Sequence, residues 1–191
     1  MKNYRHSLSF IAFTLIVLSA LSCKKENILK SDAAMTFEQV AAKDYRYMQG
    51  VDTKAFYFYE IECTLNGSVA KMDAEDVRVL STCTVSGTEE NNVYFIHTDL
   101  TTGEERVEIV ENDRWMGDFD MGDPARATIS FAKAVKMLQE QKVYEVPDSD
   151  LCTFSQPTSG LILNPRYIFG SVNKGFVYVD SVTGEIGKMV R

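Results

Sequence analysis

Hydrophobic residues recur along this chain with two different periods. Near Met35 and again near Ile129 the spacing is helical. Phe37, Val40 and Ala41 make one face of the first stretch. Phe131, Ala134, Val135 and Leu138 follow the i, i+3, i+4, i+7 rule in the second. A hydroxyl residue precedes each, Thr36 or Ser130, suited to accept from an orphan N–H of the first turn. Gln39 stands three residues after Thr36 and completes a capping box, with Met35 and Val40 spaced for a hydrophobic staple. Two amphipathic helices are predicted.

Between and after these helices the period is two. Tyr57, Tyr59, Ile61, Cys63 and Leu65 alternate with Phe58, Glu60, Glu62 and Thr64, which predicts a strand with one apolar and one mixed side. Val77, Val79, Cys83 and Val85 make another apolar side, and Arg166 to Gly170 reads as a strand after the break at Asn164 and Pro165. Phe95 to Glu104 and Phe176 to Glu185 both run from an aromatic, β-branched strand into Asp-x-x-Thr-Gly-Glu. In that motif the Gly closes a short hairpin loop and the Asp bonds the turn's own N–H groups. Return strands follow, over Arg106 to Val110 and Ile186 to Val190.

The order helix, strands, hairpin thus occurs twice. The expected fold is α+β, with two helix-then-antiparallel-sheet repeats and the helices packed on one face of the sheet. The repeats cover residues 35–112 and 129–191, joined by a linker over 113–128. The offset between matching positions is larger at the helices than at the hairpins, so the first repeat carries thirteen extra residues in its middle.

The first 34 residues belong to neither repeat. Lys2 and Arg5 are followed by an apolar run from Leu8 to Leu18, then by Ala20, Leu21, Ser22 and Cys23. A membrane-spanning helix needs about 20 apolar residues; this run has the length of a signal-peptide core. Charge, apolar run, small residues and cysteine in that order resemble the bacterial lipobox. The resemblance implies cleavage before Cys23 and a diacylglycerol thioether on it, leaving residues 1–22 as signal peptide and 23–34 as a polar tether. The lipid would then anchor the protein in a membrane. Lys24 and Lys25 stand where inner-membrane retention signals carry aspartate. The same resemblance therefore implies an outer-membrane lipoprotein, on either the periplasmic or the surface face.

Charge narrows the partners. Residues 1–22 hold two basic and no acidic residues, so their removal takes the net charge from −7 to −9. An acidic chain is ill suited to nucleic acid or to polybasic attachment at anionic lipid.

A capped helix followed by a sheet that ends in Phe-Val-Tyr-Val-Asp-x-x-Thr-Gly-Glu, here Phe176 to Glu185, resembles the PepSY domain. Ile129 to Arg191 fits the pattern better; Met35 to Val110 fits at its helix and at the Asp99 hairpin. A tandem of such units resembles the β-lactamase inhibitor protein fold. The resemblance implies a non-catalytic binding or inhibitory module of the cell envelope, with no catalytic residue and no cofactor to carry over.

Reactive side chains are few. His97, the single histidine after residue 23, lies on a predicted strand and matches Tyr178 in the other repeat, so it reads as a strand surface residue. Cys63 and Cys83 sit on apolar strand sides and would form a disulfide if their strands pair directly through a turn near Asp73. A two-residue hairpin at Asn66 and Gly67 is the rival arrangement. Asp118, Asp120 and Asp123 cluster in the linker, but without EF-hand spacing they read as solvated and not as a metal site. Trp115 and Met116 are either a plug between repeats or an exposed anchor for a partner. Phe56 and Phe58, on an aromatic strand, are further candidates for partner contact.

These features point to an envelope lipoprotein that binds a protein or peptide partner and is not an enzyme. The alternatives are a hydrolase working through His97 and a structural subunit of a surface complex.

Overall fold

The structure, a computed structural model, describes residues 35–52, 55–158, 163–172 and 175–189. The signal peptide, the tether and Cys23 lie outside these residues, as does Val190 at the end of the last expected strand.

The first helix, α1 (Phe37–Val51), starts at Thr36. The Thr36 hydroxyl accepts from the Gln39 N–H, and the Gln39 side chain accepts from the Thr36 N–H at 2.8 Å. Four strands follow: β1 (Phe56–Leu65), β2 (Val79–Thr88), β3 (Val93–Asp99) and β4 (Glu104–Val110). The second helix, α2 (Phe131–Glu140), is capped by Ser130 and precedes β5 (Leu151–Ser155), β6 (Arg166–Ser171), β7 (Gly175–Asp180) and β8 (Ile186–Met189). Together they form an α+β fold with two helices and one eight-stranded sheet. The strand order is β4-β3-β2-β1-β5-β6-β7-β8, and neighbouring strands run antiparallel. Within 35–110 and within 131–189 the strands follow a simple meander. The two stretches meet where β1 pairs with β5.

Both helices lie on the same face of this sheet. Their buried side chains, Phe37, Val40 and Ala41 from α1 and Phe131, Ala134, Val135 and Leu138 from α2, share one core with Phe58, Ile61, Phe154, Tyr167 and Phe169. Burial of each large apolar side chain contributes about 1.5–3 kcal/mol. That gain holds the short α2 in place, because a helix of its length is marginal in water by itself.

The two Asp-x-x-Thr-Gly-Glu segments adopt the same turn. Asp99 Oδ1 accepts from the N–H groups of Thr101 and Thr102, and Asp180 Oδ1 from those of Val182 and Thr183. The Gly N–H closes each loop onto the Asp carbonyl, at 2.8 Å for Gly103 and 3.0 Å for Gly184. Both glycines have positive φ, 75° and 77°. These bonds, led by the Thr101 hydroxyl, hold the Asp99 carboxyl below its usual range. The longer middle of the first stretch resides largely in its strands. β1 and β2 have ten residues each, against five and six in β5 and β6.

Alternation along β1 is interrupted. The register with β2 shifts between Phe58 and Glu60, so Tyr59 is an extra residue. Phe58 therefore joins Ile61, Cys63 and Leu65 under the helices, while Tyr57 and Tyr59 turn to the other face. The expected single row from Tyr57 to Leu65 is split. A second irregularity lies opposite Thr64 and Leu65. It separates Val79, in the helix-side core, from Cys83 and Val85, which face away. Asn66 and Gly67 do not form a two-residue hairpin. Instead Asn66 ties the base of a longer loop, exchanging bonds with Arg78 at 3.0 Å and donating to the Asp76 carbonyl.

One charged group is buried beneath α1. Asp44 is fully buried and accepts from the Thr84 hydroxyl at 2.6 Å, with Lys43 Nζ 3.5 Å away. Lys43 also pairs with Glu105 on β4 and donates to Thr98 on β3. Burial pushes the Asp44 carboxyl up to about 6, against the lowering effects of Thr84 and Lys43.

Candidate binding face

Neither helix covers the second face of the sheet. Antiparallel register aligns its side chains into rows across the strands. One row runs Arg106, His97, Cys83, Glu62, Thr153, Ile168, Tyr178. The next runs Glu108, Phe95, Val85, Glu60, Ser155, Arg166, Asp180. Glu60 and Glu62 on the central strand β1 give the middle of the face an acidic bias. On the β7 side Arg166 lies over the Tyr178 ring, its guanidinium carbon 3.8 Å from the centroid.

An aromatic cluster occupies one end of this face. The bulge at Tyr59 places Tyr57 and Tyr59, which alternation keeps on one side, on this face and not under the helices. The rings of Tyr57 and Tyr59 stack at 5.9 Å with 23° between planes. Trp115, from the segment after β4, lies 6.4 Å from Tyr59 and meets Phe95 edge-on at 6.2 Å. Gly87 sits under Tyr59: a Cβ there would stand 3.0 Å from the ring, so a larger residue would push the tyrosine outward by a few tenths of an ångström. Burial, then Asp120 and Tyr57, raise the Tyr59 hydroxyl, which stays protonated as a donor.

Two loops wall the cluster. The β2–β3 turn holds Asn91 at φ 60°, and the chain after β4 holds Asn112 at φ 57°. The loops are tied together: Arg114 Nε donates to Asn91 Oδ1 at 2.6 Å, and the Asp113 N–H to the Asn91 carbonyl at 2.7 Å. Between them is a cleft of about 480 Å³, lined by Tyr57, Tyr59 and Trp115 with Glu89, Asn91, Asn92, Asp113 and Arg114. Aromatic rings with a few converging polar groups are the usual makeup of a binding pocket.

A smaller cleft of about 230 Å³ lies over Cys83, His97 and Glu62. Cys83 and His97 are register partners on β2 and β3. Burial pushes the Cys83 thiol up to about 11, with Glu62 and Glu60 adding to the effect. Burial and Arg106 lower His97. At neutral pH the pair is therefore a protonated thiol beside a neutral imidazole. A cysteine nucleophile needs the thiolate, and this environment disfavours it.

The other expected site residues fall as follows. Phe58 is fully buried and meets Tyr45 of α1 at 5.5 Å, so it offers no surface to a partner. Phe56 is half-buried and packs on the same Tyr45 at 5.0 Å. The expectation for Phe58 is corrected by the bulge, which turns it under the helices and the tyrosines outward, whereas Phe56 stays partly exposed. Trp115 packs on the open face, whereas Met116 is 90% exposed, so the two are not a pair. Cys63 does not bridge to Cys83. Cys63 faces Thr82 across β1 and β2 while Cys83 faces Glu62, and adjacent register positions point to opposite faces. All three described cysteines are free. The neighbour of Cys63 is Cys152, its register partner on β5.

The acidic linker leaves Asp120 and Asp123 exposed, as expected, yet both carboxylates also tie down backbone. Asp120 Oδ1 accepts from the Phe58 and Gly122 N–H groups, and the Met121 N–H donates to the Phe58 carbonyl. Asp123 caps the 3-10 turn at Pro124–Arg126. Phe119 forms a bridge to Gln156. The linker thereby fills the space between β1 and β5 beyond the end of their ladder. Among the described residues no group of three or more His, Cys, Asp or Glu side chains is placed to hold a metal ion.

Sequence reasoning missed the cleft walls. Two acidic residues and two asparagines, Glu89 to Asn92, between β-rich runs are a turn signal. Nothing local shows that Asp113 and Arg114 return to the same place. No protein-family model, no curated protein and no solved structure matches the chain.

Proposed function

We propose that this protein is a non-catalytic binding or inhibitory module of the cell envelope, tethered by lipid at Cys23, that grips a protein or peptide partner with the helix-free sheet face. The observation that carries the reading is the cleft in which Tyr57, Tyr59 and Trp115 converge. Tyr and Trp are the residues that most often dominate partner binding. The acidic middle of the face suits a partner with basic side chains there. The envelope assignment rests on the lipobox-like segment ending at Cys23.

We further infer that the chain is a tandem of two PepSY-like units. The support is the order of elements, helix then four-strand meander in each stretch, and the matching hydrogen bonds of the Asp99 and Asp180 turns.

The test is affinity capture from envelope extracts with the purified chain, run beside Trp115→Ala and Tyr57→Ala. A specific partner lost with both variants supports the reading. Capture that is unchanged by them, or no specific partner at all, overturns it. The placement of His97 with the carboxylate of Glu62 in the smaller cleft keeps a hydrolase as the second reading. A hydrolytic turnover abolished by His97→Ala would favour that one.

A further inference from the structure

We propose that Cys63 and Cys152 form a disulfide that joins β1 to β5 covalently, across the seam where residues 35–110 meet residues 131–189. The two cysteines are direct register partners, on the helix side of the sheet, and each is 1% exposed. Cys63 Sγ lies 3.3 Å from the Cys152 carbonyl oxygen.

Backbone geometry brings the bond within reach. The Leu65 N–H donates to the Asp150 carbonyl at 2.8 Å. Two residues along, Cys63 and Cys152 are therefore again a hydrogen-bonded pair of the ladder. The Cα atoms of such a pair stand about 5.5 Å apart, within the usual disulfide range. Their Cβ atoms must draw in by roughly 1 Å, which leaves the bond easier to reduce than a relaxed one. Cys83 does not compete, because it sits on the opposite face of the sheet.

The position matters because the seam is short. The β1–β5 ladder has five register pairs, from Glu60 with Ser155 to Thr64 with Leu151, against nine between β1 and β2. Among the described residues no other pair of strands connects the two stretches. The bond would also close a loop of 89 residues. The loss of freedom it imposes on the unfolded chain grows with loop length.

The chemistry is thiol–disulfide exchange with an external disulfide, RSSR. The thiolate of one cysteine attacks a sulfur of RSSR and expels one thiolate, giving a mixed disulfide. The thiolate of the other attacks the protein sulfur of that bond and expels the second. Two protein S–H bonds are lost, one S–S bond forms, and two RSH leave. Burial pushes the Cys152 thiol well up in the folded protein. Exchange therefore belongs to folding, before the core closes over the seam.

The full chain, refolded in oxidised and reduced glutathione, is unfolded in the presence of an alkylating agent, digested and mapped by mass spectrometry. The expected product is a peptide linking Cys63 to Cys152, with Cys83 alkylated. Linkage of Cys83 to either one, or alkylation of both Cys63 and Cys152 throughout, overturns the proposal. In a second measurement, reduction lowers the thermal midpoint of the oxidised chain by about 5–10 °C and leaves that of Cys152→Ala unchanged. An equal response in both overturns the role at the seam. If Cys152→Ala does not fold, the peptide map of the natural chain decides.

Discussion

Phe37 and Phe131, the first residues of the two helices, stack on each other with ring centroids 5.0 Å apart. Phe37 also meets Phe154 and Tyr167 edge-on, at 5.4 and 5.6 Å. One side chain thus connects both helices to β5 and β6. Phe37→Ala is expected to cost about 3–5 kcal/mol, read as a lower urea midpoint. Because Phe131 shares the contact, Phe37→Ala with Phe131→Ala should cost less than the sum of the two. Strict additivity would mean that the rings do not act together.

Asp44 gives stability a definite pH dependence. Its carboxyl is raised to about 6 in the folded protein by burial, above the ordinary value near 3.9 expected on unfolding. The folded state therefore binds a proton that the unfolded state releases. This contribution is fully present below about pH 4 and is lost as pH rises through about 6. Its size is on the order of 2–3 kcal/mol. Lys43, Glu105 and Thr84 are the groups that share this environment. Asp44→Asn, with amide oxygen still able to accept from Thr84, should flatten the change between pH 4 and 7. Denaturant unfolding at several pH values measures it, and an unchanged slope in the variant would assign the effect elsewhere.

Trp115 is the one tryptophan of the chain, so its fluorescence reports on the candidate cleft alone. Its indole is held by Tyr59 on one side and Phe95 on the other. Tyr59→Ala should shift the emission to longer wavelength and increase quenching by acrylamide. The stability loss should be only about 1–2 kcal/mol, since the ring is partly exposed. An emission spectrum identical to that of the natural chain would place Trp115 elsewhere.

Gly184 closes the Asp180 turn at φ 77°, and a Cβ there would meet Met137 of α2 at 2.9 Å. Gly184→Ala is expected to destabilise by about 1–3 kcal/mol, from backbone strain, because Met137 Cε is the end of a flexible side chain that can swing aside. Gly67, where a Cβ would meet nothing within 4 Å, is the control. Gly67→Ala should stay within about 0.5 kcal/mol of the natural chain. Thermal denaturation of the two variants side by side makes the comparison.

Local signals sufficed for both helix starts and both turns. Thr36 with Gln39, and Asp99 with Gly103, bond within a few residues of themselves, so the chemistry that sets the geometry is adjacent in sequence. The two helical faces were legible for the same reason: Phe131, Ala134, Val135 and Leu138 are spaced by the helix's own period and all are buried. The α+β class follows from these together with the period-two strands.

Which face each strand residue occupies was decided by tertiary structure. A bulge is one extra residue, and it inverts every side chain beyond it, so Phe58 and Tyr59 exchanged places without any change in local pattern. Cysteine pairing had the same origin. Cys63 and Cys83 both lie on apolar strand positions, yet one register step separates their faces, and the true neighbour, Cys152, is 89 residues away. The cleft of Tyr57, Tyr59 and Trp115 is assembled by the linker folding back over β1 and β3. Capping, turn and period are short-range properties that a sequence carries on its surface. Register and loop return are set by long-range packing, where the winning arrangement is the one that buries most and leaves fewest polar groups unpaired.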